Sequence, residues 1–411
     1  MPVTTDVAFV FRAAFFSQPV TALMSIAPFA RAARRALPAL LLALFVVAGT
    51  ARAQQIVYTT AVPFLQIEPD SRAAGMGNSG VALADNASAI FWNPAGLAGQ
   101  RGAEVSLTHA QWLPAITSDL FYEYLVGKYH FEGIGTFGGH ITFLNLGEQE
   151  YRDENNVLLG QFRSYELAAG ASYGRMITER LALGTGLRLI YSNLSSGQQV
   201  GNTETKAGVS VGVDVAGLYT FKPFELGTVP VTTKLGFNLA NMGPAIGYTV
   251  GDEGRDDPIP TNLRFGGALS AQLDEFNKLN FAVDFNKTLV DFDSTGAKSF
   301  AEAIFSSWKS IRVASGTDPV DLDDPTTYEE VGILRQITVG TGLEYWYNDL
   351  FAFRTGYFYE DPFNGNRQFL TFGAGIRYNL IGVDFSYIYP LEEDSPLANT
   401  LRFSLLLNIL R

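Results

Sequence analysis

From about residue 103 to the end, the chain is written in short segments whose side chains alternate with period two, and this pattern limits the fold more than any other feature. Leu181, Leu183, Leu187, Leu189 and Tyr191 alternate with Ala182, Gly184, Gly186, Arg188 and Ser192. Val383, Phe385, Tyr387 and Tyr389 alternate with Asp384 and Ser386. Leu401, Phe403, Leu405, Leu407 and Ile409 alternate with Arg402, Ser404 and Asn408. Successive side chains of a strand point to opposite faces, so each segment predicts a strand with one apolar face and one small or polar face. Strands are expected near 103–109, 118–130, 134–145, 162–175, 180–193, 207–222, 230–242, 261–274, 277–290, 334–348, 351–359, 367–379, 381–390 and 398–410.

The connections between these strands sort into two kinds. Odd-numbered ones are long, at 110–117, 146–161, 194–206, 243–260, 291–333, 360–366 and 391–397. Even-numbered ones, near 131, 177, 223, 275, 349 and 380, are tight except for the third. Long loops at one end and short turns at the other are the layout of an outer-membrane barrel, whose strands alternate lipid-facing apolar with lumen-facing polar residues. Ring closure also leaves no backbone donor unpaired in lipid. The predicted fold is therefore all-β, a 14-stranded antiparallel transmembrane β-barrel spanning 103–411. Aromatic clusters at strand ends, Tyr345–Tyr347, Tyr357–Tyr359 and Tyr387–Tyr389, fit interfacial girdles.

Composition agrees. Aromatic residues make up 13%, charged residues only 17%, 41 residues are Gly, and the mean hydropathy of +0.10 is too low for a bundle of membrane helices. The absence of cysteine excludes a lipidated N-terminal cysteine, disulfides and thiol chemistry.

The N-terminal region reads as an export signal. Arg31, Arg34 and Arg35 precede an apolar run, Ala36 to Gly49, and Ala51-Arg52-Ala53 supplies small residues for a signal peptidase. The run is too short to span a bilayer, where roughly 20 residues are needed. Cleavage is expected between Ala53 and Gln54, and Met24 is the expected true start, so residues 1–53 are an upstream extension plus signal peptide. Without residues 1–53, which carry five Arg and one Asp, 29 basic and 41 acidic residues become 24 and 40, a net charge of −16. An acidic chain of this kind is not expected to bind nucleic acid.

Residues 54–102 differ from the rest, with Pro63, Pro69, Gly75, Gly77, Gly80, Pro94, Gly96 and Gly99 and a stretch, Val81–Trp92, able to form one or two helical turns. An even strand count places both ends of the barrel on the short-turn, periplasmic side, so this segment is expected to fold back into the lumen as a plug. Gly75-Met76-Gly77-Asn78-Ser79-Gly80 matches the glycine spacing of a dinucleotide site, but no strand precedes it, no long helix follows and no acidic residue lies near 95–100, so a nucleotide is not expected. His109, His130 and His140 fall on different strands without ligand spacing, and no metal or other cofactor is expected. The acidic run Asp318, Asp321, Asp323, Asp324, Glu329 and Glu330 in the longest loop lacks the spacing of a dedicated calcium loop and reads as solvated charge. No catalytic constellation is singled out, and the chain is not expected to be an enzyme.

At Asn93-Pro94-Ala95-Gly96-Leu97, preceded by Arg72-Ala73-Ala74-Gly75-Met76-Gly77 and Phe91-Trp92, the sequence resembles the PorV/PorQ family, relatives of the FadL-type 14-stranded barrels. In that group the Asn-Pro-Ala box belongs to the plug, which assigns Gly75, Met76, Gly77, Asn93, Pro94 and Ala95 to the plug motif. Pro260-Thr261-Asn262-Leu263-Arg264-Phe265-Gly266, with Asn277-Lys278 and Asn286-Lys287, resembles the PorV subgroup of the type IX secretion system, as do Pro63–Asp70 and Pro114 after Trp112. The chain departs from that pattern at Asp291-Phe292-Asp293-Ser294, where the family is usually rich in Pro, and at its end, Ile409-Leu410-Arg411, which lacks an aromatic residue. The resemblance implies a protein of the cell outer membrane, surrounded by its lipid, that receives cargo proteins from the secretion translocon and passes them by their C-terminal domain to surface attachment proteins. Loops 243–260 and 291–333 are the expected contact regions. The competing expectation is a FadL-like transporter of hydrophobic small molecules, with an apolar pocket between plug and wall. Strand glycines such as Gly133, Gly135, Gly138 and Gly139 then mark either bulges beside a lateral gap or close packing against the plug.

Overall fold

In a computed structural model the chain is described over residues 60–152, 155–195, 197–200, 203–251, 256–293, 296–314, 328–393 and 395–410. The expected signal segment and the Ala53/Gln54 cleavage site lie outside these residues.

Fourteen strands close a ring: β1 (Ala103–Gln111), β2 (Phe121–Phe131), β3 (Gly135–Arg152), β4 (Leu158–Met176), β5 (Leu181–Asn193), β6 (Gly208–Thr220), β7 (Val229–Met242), β8 (Asn262–Gln272), β9 (Asn277–Thr288), β10 (Thr338–Tyr347), β11 (Phe351–Tyr359), β12 (Gln368–Tyr378), β13 (Ile381–Pro390) and β14 (Leu401–Leu410). Each pairs antiparallel with its neighbours in sequence, and β14 closes on β1 with Leu107 opposite Leu405. The sheet is a closed 14-stranded antiparallel barrel. The largest departure from expectation is the connection at 146–161, which is mostly a hairpin that prolongs β3 and β4 past a register shift between Asn145 and Glu148. Gly147, at φ 77°, makes that irregularity possible.

The period-two pattern becomes an inside and an outside. Leu187, Leu189, Phe353, Phe403 and Leu405 are exposed, as a lipid-facing surface requires, whereas Arg188, Ser192, Asp214, Glu344, Arg354, Arg402 and Ser404 are buried. Aromatic residues form two outward belts. Phe121, Phe143, Tyr165 and Tyr191 run in contact across β2 to β5 near the long loops, with ring centroids 5.9–6.0 Å apart. Tyr129, Phe131, Phe137 and Tyr173 form the second belt near the short turns. The predicted girdle triplets need one correction. Alternation turns their middle residues inward, so Trp346 and Phe358 are buried, Trp346 beneath the guanidinium groups of Arg354 and Arg377.

Residues 60–102 fill the space against the inner wall. They include two single-turn helices, α1 (Ser71–Ala74) and α2 (Ala89–Trp92), and 3-10 turns at Pro63–Gln66 and Pro94–Gly99. The segment begins where Ala61 donates to the carbonyl of Pro258 in a long loop and ends where Gly102 accepts from His130 at the short-turn end. It therefore runs the length of the lumen once, starting at the long-loop end. Both ends of the barrel, Ala103 and Leu410, lie together at the short-turn end, as the even strand count requires.

Candidate functional site

The inner segment is fastened by side chains that point into the lumen from strands all round the ring. On one side Glu344, wholly buried, accepts from Arg72 of the inner segment (2.7 and 2.8 Å) and from Arg354 (2.7 Å). Arg354 continues to Asp384 (2.8 Å), which also binds Arg377 (2.6 Å), and Arg72 also pairs with Asp85. A buried carboxylate between two guanidinium groups is tolerable in a dry interior only because each charge has its counter-charge and hydrogen bonds. On the neighbouring strand, β9, Asp284 accepts from the backbone N–H groups of Gly80 (2.6 Å) and Val81 (2.8 Å). Asn238 donates to the Trp92 carbonyl (3.1 Å), and Arg264 lies 4.2 Å over the Phe91 ring and donates to its carbonyl.

The six plug-motif residues take part in this fastening. Asn93 donates to Val81 and to Gly217 of β6 (3.0 and 3.1 Å), while its own oxygen caps the next turn at Ala95 N–H. Pro94 and Ala95 lie directly on Gly184, and Pro94 on Gly174. Met76 and Gly77 lie on Gly342 and Gly356, and Gly75 on Gly373. Gly77 has φ 63° and meets the Thr341 and Tyr357 carbonyls, so its place in the glycine pattern serves conformation and close approach. The strand glycines divide in the same way. A Cβ on Gly138 would strike Ile90, β2 and β3 pair without a bulge through Gly138 and Gly139, Gly133 belongs to the turn, and Gly135 is the first residue of β3, opposite Phe131. Gly139 meets only a neighbouring strand.

The second motif set separates. Pro260, Thr261 and Asn262 stand at the long-loop end, where Thr261 donates to the Asn241 carbonyl (2.8 Å) and Asn241 to that of Pro260 (3.2 Å). Leu263 takes the outward position beside them. Asn286 and Lys287 lie at the same end of β9, and Lys287 donates to Gln336 (2.7 Å). Asn277 and Lys278 lie at the other end of β9, where Asn277 is held by Asp274 in a short turn. No single site unites them.

The long-loop end is built as a surface. The loop between β9 and β10 carries α3 (Phe300–Ser306) and a short hairpin, Ile311–Ala314 with Tyr328–Val331. Asp291 ties it down, accepting from Lys298 (2.7 Å), Ser306 (2.6 Å) and Lys309 (2.8 Å). Burial alone would lift the Asp291 carboxyl, but these hydrogen bonds outweigh it and hold it well below the usual carboxylate range. Arg335 bridges Glu329 (2.9 Å) and Asp361 (3.0 Å), joining this loop to the one between β11 and β12. Phe305 and Leu334 stand 82% and 84% exposed on the loop, outside both aromatic belts.

Remaining sequence candidates disperse. His109 pairs with Glu123 (2.7 Å), His130 with Thr136 (2.9 Å), and His140 is buried beside Tyr124. Among the described residues no group of three His, Asp or Glu is placed to hold a metal. Asp318, Asp321, Asp323 and Asp324 lie outside the described residues. Three functional groups were missed by sequence reasoning: the Arg72–Glu344–Arg354–Asp384 chain, the Asp284 cradle and Asp70, which caps α1 and accepts from the Trp92 indole (2.6 Å). For Glu344, Arg354, Asp384 and Asp284 the signal was charge on the lumen-facing phase of a strand, whereas Arg72 and Asp70 belong to the inner segment, which has no such phase.

The sequence model of the family described as type IX secretion system protein PorV matches residues 50–295. The chain belongs to this family. As a PorV-family barrel it is an outer-membrane component of the type IX secretion system. It is also similar to solved barrels: the Ralstonia pickettii toluene transporter TbuX (16% identity, 83% of this chain and 97% of that one, TM-score 0.45) and the Pseudomonas putida toluene transporter TodX (13%, 83% and 96%, 0.43). A Pseudomonas aeruginosa FadL homologue is similar at 11% identity over 86% of this chain and all of its own, with a TM-score of 0.39. No curated protein sequence matches the PorV-family chain.

Proposed function

We propose that this PorV-family barrel acts without catalysis as a carrier in type IX secretion, receiving cargo proteins from the translocon and delivering them, by their C-terminal domain, to the surface attachment machinery. The observation that carries this reading is the contrast between the two parts of the molecule. The lumen holds residues 60–102, fastened by the buried Arg72–Glu344 ion pair and by hydrogen bonds from several strands, and this segment acts as a plug. The long-loop end presents a tied-down surface with exposed Phe305 and Leu334. Work done on a protein partner at the surface needs such a platform and no open pore. The second reading, a FadL-like transporter of hydrophobic molecules, calls for an apolar pocket between plug and wall. The cavity at the long-loop end is lined mainly by polar residues, among them Gln66, Asn286, Lys287, Asp291, Gln336, Glu360 and Arg367, with Val290 and Ile311 its apolar side chains, which favours the carrier.

Affinity purification of the tagged barrel from its native outer membrane, followed by mass spectrometry, tests this. Large translocon subunits and exported proteins that share one C-terminal domain are expected to co-purify, and Phe305→Ser combined with Leu334→Ser is expected to reduce their recovery at least fivefold. Recovery of the barrel alone with bound hydrocarbon or lipid would overturn the carrier reading.

A further inference from the structure

A cavity of about 170 Å³ opens at the long-loop end, lined among others by Thr60, Asn286, Lys287, Ser307, Lys309 and Arg367. Most charges around it are matched. Arg367 is paired with Glu360 (2.6 Å), and Asp291 takes both Lys298 and Lys309. Lys287 is the exception. Its side chain belongs to a residue only 5% exposed, its ammonium donates one hydrogen bond, to the neutral Gln336, and it lies 5.6 Å from the centre of the Trp308 ring. Among the described residues no carboxylate pairs with it. A buried ammonium carries three donors and a full charge, and leaving it without a counter-ion in a place shielded from water is strongly unfavourable.

A second, independent feature lies on the same wall. The hydroxyl of Ser307, in a residue 4% exposed, has no hydrogen-bond partner at all. The cavity thus brings together an unneutralised cation and an unused hydroxyl donor, with no free acceptor charge beside them. That donor set is complementary to an anion with several acceptor oxygens.

We infer that this cavity is a binding site for a carboxylate carried on a small or polar group, held by Lys287 with Ser307 as the second donor. The lining is mainly polar, with Val290 and Ile311 its apolar side chains, which favours a carboxylate on a small or polar group, that of a free small acid or of the end of a peptide chain. The site opens where protein partners would dock, but it depends only on the local geometry and stands apart from the carrier reading.

Calorimetric titration of the purified full-length barrel in detergent tests the inference with four probes: N-acetylglycine, a ten-residue peptide with a free carboxyl terminus, the same peptide amidated, and decanoate. N-acetylglycine is expected to bind saturably, and Lys287→Gln to weaken it at least tenfold, whereas Lys222→Gln, the same loss of charge at an exposed site by the short turns, leaves it unchanged. Ser307→Ala is expected to weaken it about threefold. Because Lys287→Gln removes an unmatched buried charge, its thermal unfolding midpoint is expected to equal or exceed that of the parent, which separates loss of the site from loss of the fold. If the free-acid peptide binds as well and the amide does not, the occupant is a chain terminus; if only N-acetylglycine binds, it is a small acid. No saturable binding of either acid, equal binding by Lys287→Gln, or a preference for decanoate overturns the inference.

Discussion

At the residue scale the fold depends on a few side chains whose environment leaves no substitute. Glu344 sits between Arg72 and Arg354, and removing its charge leaves two buried guanidinium groups each with a single carboxylate, Asp85 and Asp384. Breaking a buried pair costs roughly 3–5 kcal/mol, and the remaining partners put Glu344→Gln near the lower end of that range. Urea unfolding of the refolded barrel checks this, and a loss under about 1 kcal/mol would show that the inner segment is held by packing alone. Glycines supply a second test. A Cβ at Gly342 would run into Met76 of the inner segment, while one at Gly160, in the outer hairpin, would meet nothing. Gly342→Ala is expected to cost about 1–3 kcal/mol by overpacking, and Gly160→Ala to stay within about 0.5 kcal/mol of the parent, both read from the same unfolding curves.

At the element scale, the loop between β9 and β10 is organised by one carboxylate. Hydrogen bonds from Lys298, Ser306 and Lys309 hold the Asp291 carboxyl below its usual range, so it binds protons less readily folded than unfolded. The stability it contributes is present above the unfolded value, about 3.9, and is lost as pH falls from there toward the depressed folded value. Protease cleavage within 291–314 is therefore expected to be unchanged from pH 8 to pH 5 and to accelerate only below about pH 4, using an acid-active protease. In Asp291→Asn it is expected to be fast at every pH, and a variant with the parental pH profile would dismiss this anchor. The strands themselves were legible to within a few residues because side-chain alternation is local: each strand declares its own two faces. Where β3 and β4 run on beyond the barrel the alternation weakens, since neither face meets lipid, and 146–161 reads as loop although the backbone still pairs. The middle residues of the aromatic triplets were misread for a related reason: aromatic content was weighed where parity decides, and Trp346 and Phe358 fall on the inward phase.

At the scale of the whole molecule, the inner segment crosses the lumen from the long-loop end to the short-turn end. Thr60, which lines the mouth cavity, is thereby placed on the cell-surface side. Thr60→Cys in this cysteine-free chain is expected to react with a membrane-impermeant maleimide on intact cells, while Glu179→Cys, in a short turn, is expected to react only after the outer membrane is permeabilised. The reverse pattern would overturn the direction of the segment. Strand number, the inside and outside of each strand, the sorting of loops and the family all follow from the sequence alone, because period-two patterning, loop length and short motifs are carried by neighbouring residues. Only the tertiary structure decided how the segment 60–102 is threaded, which charges meet in the lumen and which motif residues share an end. Those depend on contacts such as Ala61 with Pro258, Arg72 with Glu344 and Gly80 with Asp284, between residues about two hundred or more positions apart. No local pattern specifies such pairs; closing the ring brings them together.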